Sequence, residues 1–240
     1  MAQRSTSAYA RFFNLAVVLG LLLFTGCKRL PKYDTAEELR KAVNSGSAVE
    51  IQALLKSGVP VNFRNKAGWT PLMLATTKNS TAIIKVLLEN NADINLADNQ
   101  RRTALHLAAR WSRPETVKFL LDSGADHELR DYLSWTPLMW AALQGRTDIV
   151  KTLIDGKASC LTLDGVGNTS IILAAWRGHT DTAALLLAYG ADPSRANREG
   201  LNAIQVAEKN GHPELAAYLK KHWSAPPPKS GKNKLTAALR

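Results

Sequence analysis

Cysteine is scarce in this chain of 240 residues, which contains only Cys27 and Cys160. Two cysteines cannot build the disulfide framework that holds many small secreted domains together. Several enzyme signatures are missing as well: Gly-x-Ser-x-Gly, His-Glu-x-x-His, Cys-x-x-Cys and the phosphate-binding Gly-x4-Gly-Lys-Ser/Thr do not occur. The five histidines are scattered rather than grouped. The sequence therefore predicts a protein that is not an enzyme, has no metal site and needs no cofactor.

Acidic residues are absent from the leader, which carries Arg4 and Arg11 and is followed by an apolar run over residues 12–25. A helix of about 15 residues is roughly 22 Å long, which is short for a hydrocarbon core of about 30 Å. A basic start, a short apolar middle and small residues at the end are the parts of a secretory signal. Residues 1–26 are therefore predicted to be a signal peptide.

The end of this run, Phe24-Thr25-Gly26-Cys27, resembles the bacterial lipobox, although Phe24 stands where Leu is preferred. The resemblance implies cleavage before Cys27, a lipid on that cysteine and a short linker over residues 27–33. Because Lys28 rather than Asp follows, it also implies an outer-membrane anchor with the chain facing the periplasm. A short uncleaved anchor is the alternative, since the basic residues after Cys27 resist translocation.

Positive charge is concentrated near the ends of the chain. The formal net charge is +11, and residues 224–240 contribute four basic residues and no acid. Their proline run and their Ser, Gly and Lys content predict a disordered basic tail. A basic pI usually suggests nucleic acid as a partner. Because much of the excess lies in the tail and the signal, we expect no nucleic-acid binding.

The rest of the chain repeats itself every 33 residues. Thr70-Pro71-Leu72-Met73 recurs in register from Thr103, Thr136 and Thr169, and one more step reaches Asn202. An alanine follows each of these positions by five residues: Ala75, Ala108, Ala141, Ala174 and Ala207. Thr before Pro is typical of a helix N-cap followed by proline at the first helical position.

This period and its Thr-Pro-Leu motif resemble the ankyrin repeat. The resemblance implies an all-α repeat solenoid over residues 34–223, in which helix-turn-helix units are joined by β-hairpin-like fingers. The six units are residues 34–66, 67–99, 100–132, 133–165, 166–198 and 199–223, and the first and last are polar caps. It also implies a non-catalytic scaffold or adaptor, expected to be a monomer, that binds a protein partner.

Local features give further expectations for this fold. Second helices should end at left-handed glycines, and Lys157 is the misfit at that place, relieved by Gly156. Trp140 and Cys160 replace aliphatic residues and should be core, and His106 should have a structural role within its turn.

Ankyrin arrays generally bind through the fingers and the inner side of the first helix of each unit. The residues at those places make up the predicted partner-binding set: Trp69, Arg102, Arg110, Trp111, Tyr132, Trp135, Leu143, Gln144, Trp176 and Arg177. Trp111, Trp135 and Trp176 lie in consecutive units and are expected to form one patch. Whether Trp69 and Trp135 pack within the scaffold or contact a partner stays open.

Two other roles remain open from the sequence alone. One is a secreted or host-delivered ankyrin protein, which an unmodified Cys27 would favour. The other is an accessory protein that protects or assembles a periplasmic enzyme.

Overall fold

A computed structural model describes residues 35–223 of the chain. The predictions for the signal peptide, for Cys27 and its linker, and for the basic tail fall outside the described residues. The described part contains twelve helices and no strand. The helices are α1 (Thr35–Ser45), α2 (Ala48–Lys56), α3 (Pro71–Thr77), α4 (Thr81–Glu89), α5 (Ala104–Trp111), α6 (Pro114–Asp122), α7 (Pro137–Leu143), α8 (Thr147–Asp155), α9 (Ser170–Trp176), α10 (Thr180–Ala188), α11 (Ala203–Lys209) and α12 (Pro213–His222).

The helices form six antiparallel pairs, each made of an inner helix and an outer helix. The inner helices α1, α3, α5, α7, α9 and α11 pack on one another in chain order, and each outer helix packs on the inner helix before it. Leucines and alanines from both layers form one continuous buried core, which includes Trp140 and Cys160 as predicted. The predicted all-α repeat fold is confirmed. Among residues 35–223, the helices are all too short or too polar to cross a bilayer.

The start of each inner helix shows why the Thr-Pro motif is suited to this place. Thr70 takes an extended conformation and accepts a hydrogen bond from the backbone N–H of Met73 at 3.2 Å. Thr103 donates its backbone N–H to His106 Nδ1 at 3.1 Å, and His106 Nε2 donates to the Trp135 carbonyl of the next unit at 3.1 Å. His106 is therefore structural, as predicted, and it ties two units together.

Two other capping threonines differ from this pattern. The hydroxyls of Thr136 and Thr169 are buried without a hydrogen-bond partner, so the predicted side-chain cap is not made there. Thr70 makes this bond although Met73 stands three positions on, so the residue at that place does not account for the difference. A buried hydroxyl without a partner costs about 1–3 kcal/mol.

The ends of the outer helices confirm the expected left-handed residues and correct one detail. Gly58, Gly124 and Gly190 have φ angles of +95°, +90° and +88°. Lys157 itself adopts φ +78°, whereas Gly156 caps the helix at φ −76°. The expectation that Gly156 relieves the misfit is therefore wrong. A lysine side chain is held in a conformation that suits glycine.

The fingers between units are turns closed by an Asp or Asn side chain. In each, this residue accepts two backbone N–H bonds with Oδ1, from the residues two and four positions on. These residues recur every 33 positions: Asn65, Asp98, Asp131, Asp164 and Asn197. A single backbone hydrogen bond joins each finger to the next, for example from Tyr132 N–H to the Gln100 carbonyl at 3.0 Å. Side-chain turns rather than paired strands thus shape the fingers.

Candidate partner-binding face

The finger turns and the C-terminal ends of the inner helices together form one side of the array, which we call the inner face. At its centre, Asp131 is fully buried in the finger before α7. Its Oδ1 atom accepts the N–H groups of Leu133 and Trp135, and its Oδ2 atom accepts Trp140 Nε1 at 2.8 Å. One carboxylate therefore fixes both the finger and the indole of a core residue.

That indole belongs to a group of four side chains that we call the tryptophan–arginine cluster: Arg110, Trp111, Trp135 and Trp140. The rings of Trp135 and Trp140 meet edge to face with their centroids 4.8 Å apart. The Arg110 guanidinium lies 4.4 Å from the Trp140 centroid and 4.8 Å from that of Trp111. The cluster thus runs without a break from the finger to the end of α5, and it holds a cation between two aromatic rings.

A second arginine–tryptophan pair lies at the end of α9. The Arg177 guanidinium is 5.3 Å from the ring centroid of Trp176. These two residues line an open cleft of about 450 Å³ together with Asn210 and His212 of the last unit. Trp111, Trp135 and Trp176 therefore do not form the single patch that was expected. Within residues 35–223, Trp176 stacks with Arg177 and makes no ring contact with the other tryptophans, so the inner face has two separate aromatic centres.

The structure sorts the predicted partner-binding residues by exposure. Trp111, Tyr132, Gln144, Trp176 and Arg177 are exposed, while Trp69, Arg102, Arg110 and Trp135 are half-buried. Trp111 and Trp176 expose 44% and 45% of their surface, an unusual amount for such large apolar side chains. These two side chains are therefore the strongest candidates for contact with a partner.

Three of the predicted residues are engaged by the scaffold. Leu143 is buried at 6% exposure, so its inclusion among contact residues is corrected: α7 packs it into the core. Arg102 is held by Asp98 through two hydrogen bonds of 2.9 and 2.7 Å. Trp135 is half-buried and donates its Nε1–H to Asp164 Oδ2 at 3.0 Å, so its indole is held by the next finger.

Sequence reasoning missed two contributors to this face. Val166 is 52% exposed at a finger tip and lies outside the predicted partner-binding set. Trp140 lies in the core as predicted, yet it also carries the Arg110 guanidinium on its ring. The sequence contains one signal of this role of Trp140: it is an aromatic residue at the position that Leu74 and Leu107 occupy in other units.

Burial shifts the pKa values of two side chains in opposite directions. Burial lowers the pKa of His106, so its ring stays neutral and structural. Burial raises the pKa of the Cys160 thiol, which makes it a weak nucleophile. In the part of the chain that the structure describes, His, Cys, Asp and Glu form no group suited to a metal ion.

Helix pairs that stack in chain order, each packing on its neighbours, define a repeat solenoid. The sequence profile of the family described as "Ankyrin repeats (3 copies)" matches residues 39–131 and 127–197, more than half of the chain. The chain therefore belongs to the ankyrin-repeat family, whose repeats generally serve as protein–protein interaction modules. A search of curated proteins found no match.

Proposed function

We propose that this protein is a non-catalytic scaffold or adaptor that binds another protein through the inner face of its ankyrin array. The observation that carries this proposal is the exposure of Trp111 and Trp176, each stacked with an arginine. Tryptophan and arginine dominate interface hot spots, where truncation of one central side chain costs about 2 kcal/mol or more. The ankyrin fold does not need large aromatics at these places, since Lys78 and Gln144 occupy the equivalents of Trp111 in neighbouring units.

Binding through preformed side chains favours capture without a large entropic cost. Arg110 is already held between two rings, and Asp131 fixes the indole beneath it. A partner that packs on the cluster therefore immobilises few additional side chains.

The test is a crosslinking experiment in intact cells with tagged full-length protein. Wild type is compared with a Trp111→Ala/Trp176→Ala variant, and captured proteins are identified by mass spectrometry. Val49→Ala is the matched control, because Val49 is 80% exposed on the outer helix α2, away from the inner face. We expect one protein to be lost in the tryptophan variant and kept in the control. Capture of the same proteins by all three forms would argue against the inner face as the binding site.

We also propose that a lipid on Cys27 anchors the array in a bacterial envelope, at the outer membrane and facing the periplasm. The support is the basic leader, the short apolar run and the lipobox-like end of that run. Mass spectrometry of the mature protein should find an N-terminal peptide that begins with a lipid-modified Cys27. Cys27→Ser should move the protein from the membrane to the soluble fraction. An unmodified Cys27 in the wild type would favour secretion instead.

A further inference from the structure

Charge is divided unequally between the two layers of helices. The outer helices α4, α6, α8 and α10 carry six acids and three lysines. Each lysine pairs with an acid four residues further on in its own helix: Lys85 with Glu89, Lys118 with Asp122 and Lys151 with Asp155. These four outer helices are therefore acidic on balance, and their lysines are already paired.

The inner helices show the opposite pattern. Helices α3, α5, α7 and α9 contain no acid, and the charged residues within them or directly after them are Lys78, Arg110 and Arg177. Because the two layers differ in this way, a partner approaching these four inner helices meets positive rather than negative side chains.

The finger turns carry the same sign of charge where they are exposed. In the turns of the first four fingers, each of which runs from its closing Asn or Asp to the residue four positions on, the acids are Asp98, Asp131 and Asp164, and all three are buried. The exposed charged residues in these turns or directly before them are all basic: Arg64, Lys66, Arg101 and Arg130. The exposed Asp93 and Asp126 and the half-buried Glu128 come earlier in the connections, closer in sequence to the outer helices, and an exposed acid first occurs within a turn at Glu199. From the first finger to α9 the exposed charges of the turns and of the inner-helix ends are therefore basic.

Arg110 and Arg177 stand out within this basic surface. Within residues 35–223 neither guanidinium donates a hydrogen bond or pairs with an acid, although both are positioned by stacking on tryptophan. A guanidinium presents a planar fork of donors that matches the two oxygens of a carboxylate. Stacking orients the fork in advance, so that less entropy is lost when a carboxylate binds.

We propose that the partner docks on the inner face with an acidic segment. Its Asp or Glu carboxylates pair with Arg110 and Arg177, and an apolar side chain between them packs on Trp111 or Trp176. This inference rests on the proposed function and adds the chemistry of the partner. Residues 224–240 of the same chain are not the occupant, because they carry four basic residues and no acid and are repelled by this face.

The experiment selects random-sequence peptides displayed on phage against the immobilised full-length protein. We expect the selected peptides to be enriched in Asp and Glu, with an apolar residue beside them. For a synthetic copy of a selected peptide, we expect Arg110→Gln/Arg177→Gln to weaken binding at least about tenfold. The affinity should also fall as the salt concentration rises. Lys151→Gln is the matched control, because Lys151 lies on the outer helix α8, and it should leave binding unchanged.

Arg110→Lys/Arg177→Lys keeps the positive charge of both side chains but removes the planar fork of donors. It therefore tests the fork separately from the charge. Its affinity should lie between that of wild type and that of the glutamine variant. Thermal unfolding of each variant should show the same cooperative transition as wild type. A lysine variant that binds as tightly as wild type would overturn the role of the forks.

The other outcomes separate this inference from the proposed function. Peptides without acids that depend on Trp111 and Trp176 would overturn the acidic segment but keep the inner face as a protein-binding site. Peptides insensitive to both the arginine and the tryptophan variants would overturn both. If no acidic peptide is selected, but phosphatidylglycerol vesicles bind wild type and not Arg110→Gln/Arg177→Gln, the face recognises membrane and the inference fails.

Discussion

Asp131 is the residue whose replacement tests the architecture of the inner face most directly. Asp131→Asn keeps an oxygen to accept the N–H groups of Leu133 and Trp135, at 2.8 and 3.0 Å. It also places an amide N–H₂ where Oδ2 now accepts Trp140 Nε1 at 2.8 Å. If the amide rotates by 180°, its N–H₂ group faces the backbone N–H groups of Leu133 and Trp135 instead of Trp140 Nε1. In either orientation the amide N–H₂ therefore faces another hydrogen-bond donor.

The expected cost follows from this geometry. The variant loses one hydrogen bond to a charged acceptor, worth about 1.5–3 kcal/mol, and leaves buried N–H groups without an acceptor. We expect Asp131→Asn to lower the free energy of unfolding by about 2–4 kcal/mol in urea titrations. Asp131→Ala should cost more, because the two finger bonds are lost as well.

Two comparisons isolate the bond to Trp140. In the first finger Asn65 already fills the place of Asp131, and Leu74 stands where Trp140 stands, so Asn65→Asp should change stability by less than about 0.5 kcal/mol. Asp131→Asn made in a Trp140→Phe background should cost at least about 1 kcal/mol less than in wild type, because the indole N–H is gone. An equal cost in both backgrounds would refute the assigned role of Oδ2.

Three further predictions follow from single residues. Lys157→Gly should raise the free energy of unfolding by about 0.5–1 kcal/mol, because φ is +78° there, while Lys157→Ala should leave it unchanged in the same urea titration. Gly145→Ala should lower the free energy of unfolding by more than about 2 kcal/mol, because the new Cβ would lie 2.5 Å from His179 Nδ1 and the His179 ring is held by its Nε2 bond to the Leu143 carbonyl. Gly211→Ala is the control, since Gly211 has a similar φ but open space around it. Calorimetry should show a loss of about 1 kcal/mol for that control. Burial lowers the folded-state pKa of His106 from its ordinary 6.5, so the contribution of its neutral ring to stability is complete above pH 6.5 and is lost as the pH falls below that value. His106→Gln keeps an acceptor for the backbone N–H, as Gln205 does in the last unit, and should therefore flatten the loss of stability between about pH 7 and 5. An unchanged slope would contradict the structural role assigned to the neutral ring.

The fold was predictable because each period specifies its own local structure. Thr70-Pro71 starts a helix, Gly58 or Gly124 ends one, and the apolar stripe between them has the spacing of a buried helix face. The Lys157 detail was missed because sequence periodicity shows which position needs a left-handed residue, but not whether the chain shifts that position to a neighbouring glycine.

The candidate site was only partly predictable for a different reason. Register places Trp111 and Trp176 at exposed positions, and both are exposed. The same register places Leu143 beside them, but its exposure depends on how α7 packs against its neighbours, which the local sequence does not determine. The stacking of Arg110 on Trp140 is a contact between units and depends on the offset between α5 and α7.

The second oxygen of the finger aspartates explains how one scaffold can carry a variable face. In all five fingers Oδ1 is committed to the turn itself, but Oδ2 of the aspartates is free to accept from a different side chain in each unit. It binds Arg102 in the second finger, Trp140 in the third, and Asn168 with Trp135 in the fourth. Each of these partners lies on or beneath the inner face, so the aspartate transmits the geometry of the turn to the side chains that a partner would touch. A change at Trp140 or Arg102 can therefore alter the inner face while the turn remains intact. A change at the aspartate, in contrast, removes the hydrogen bonds of the turn together with those to the side chains of the inner face.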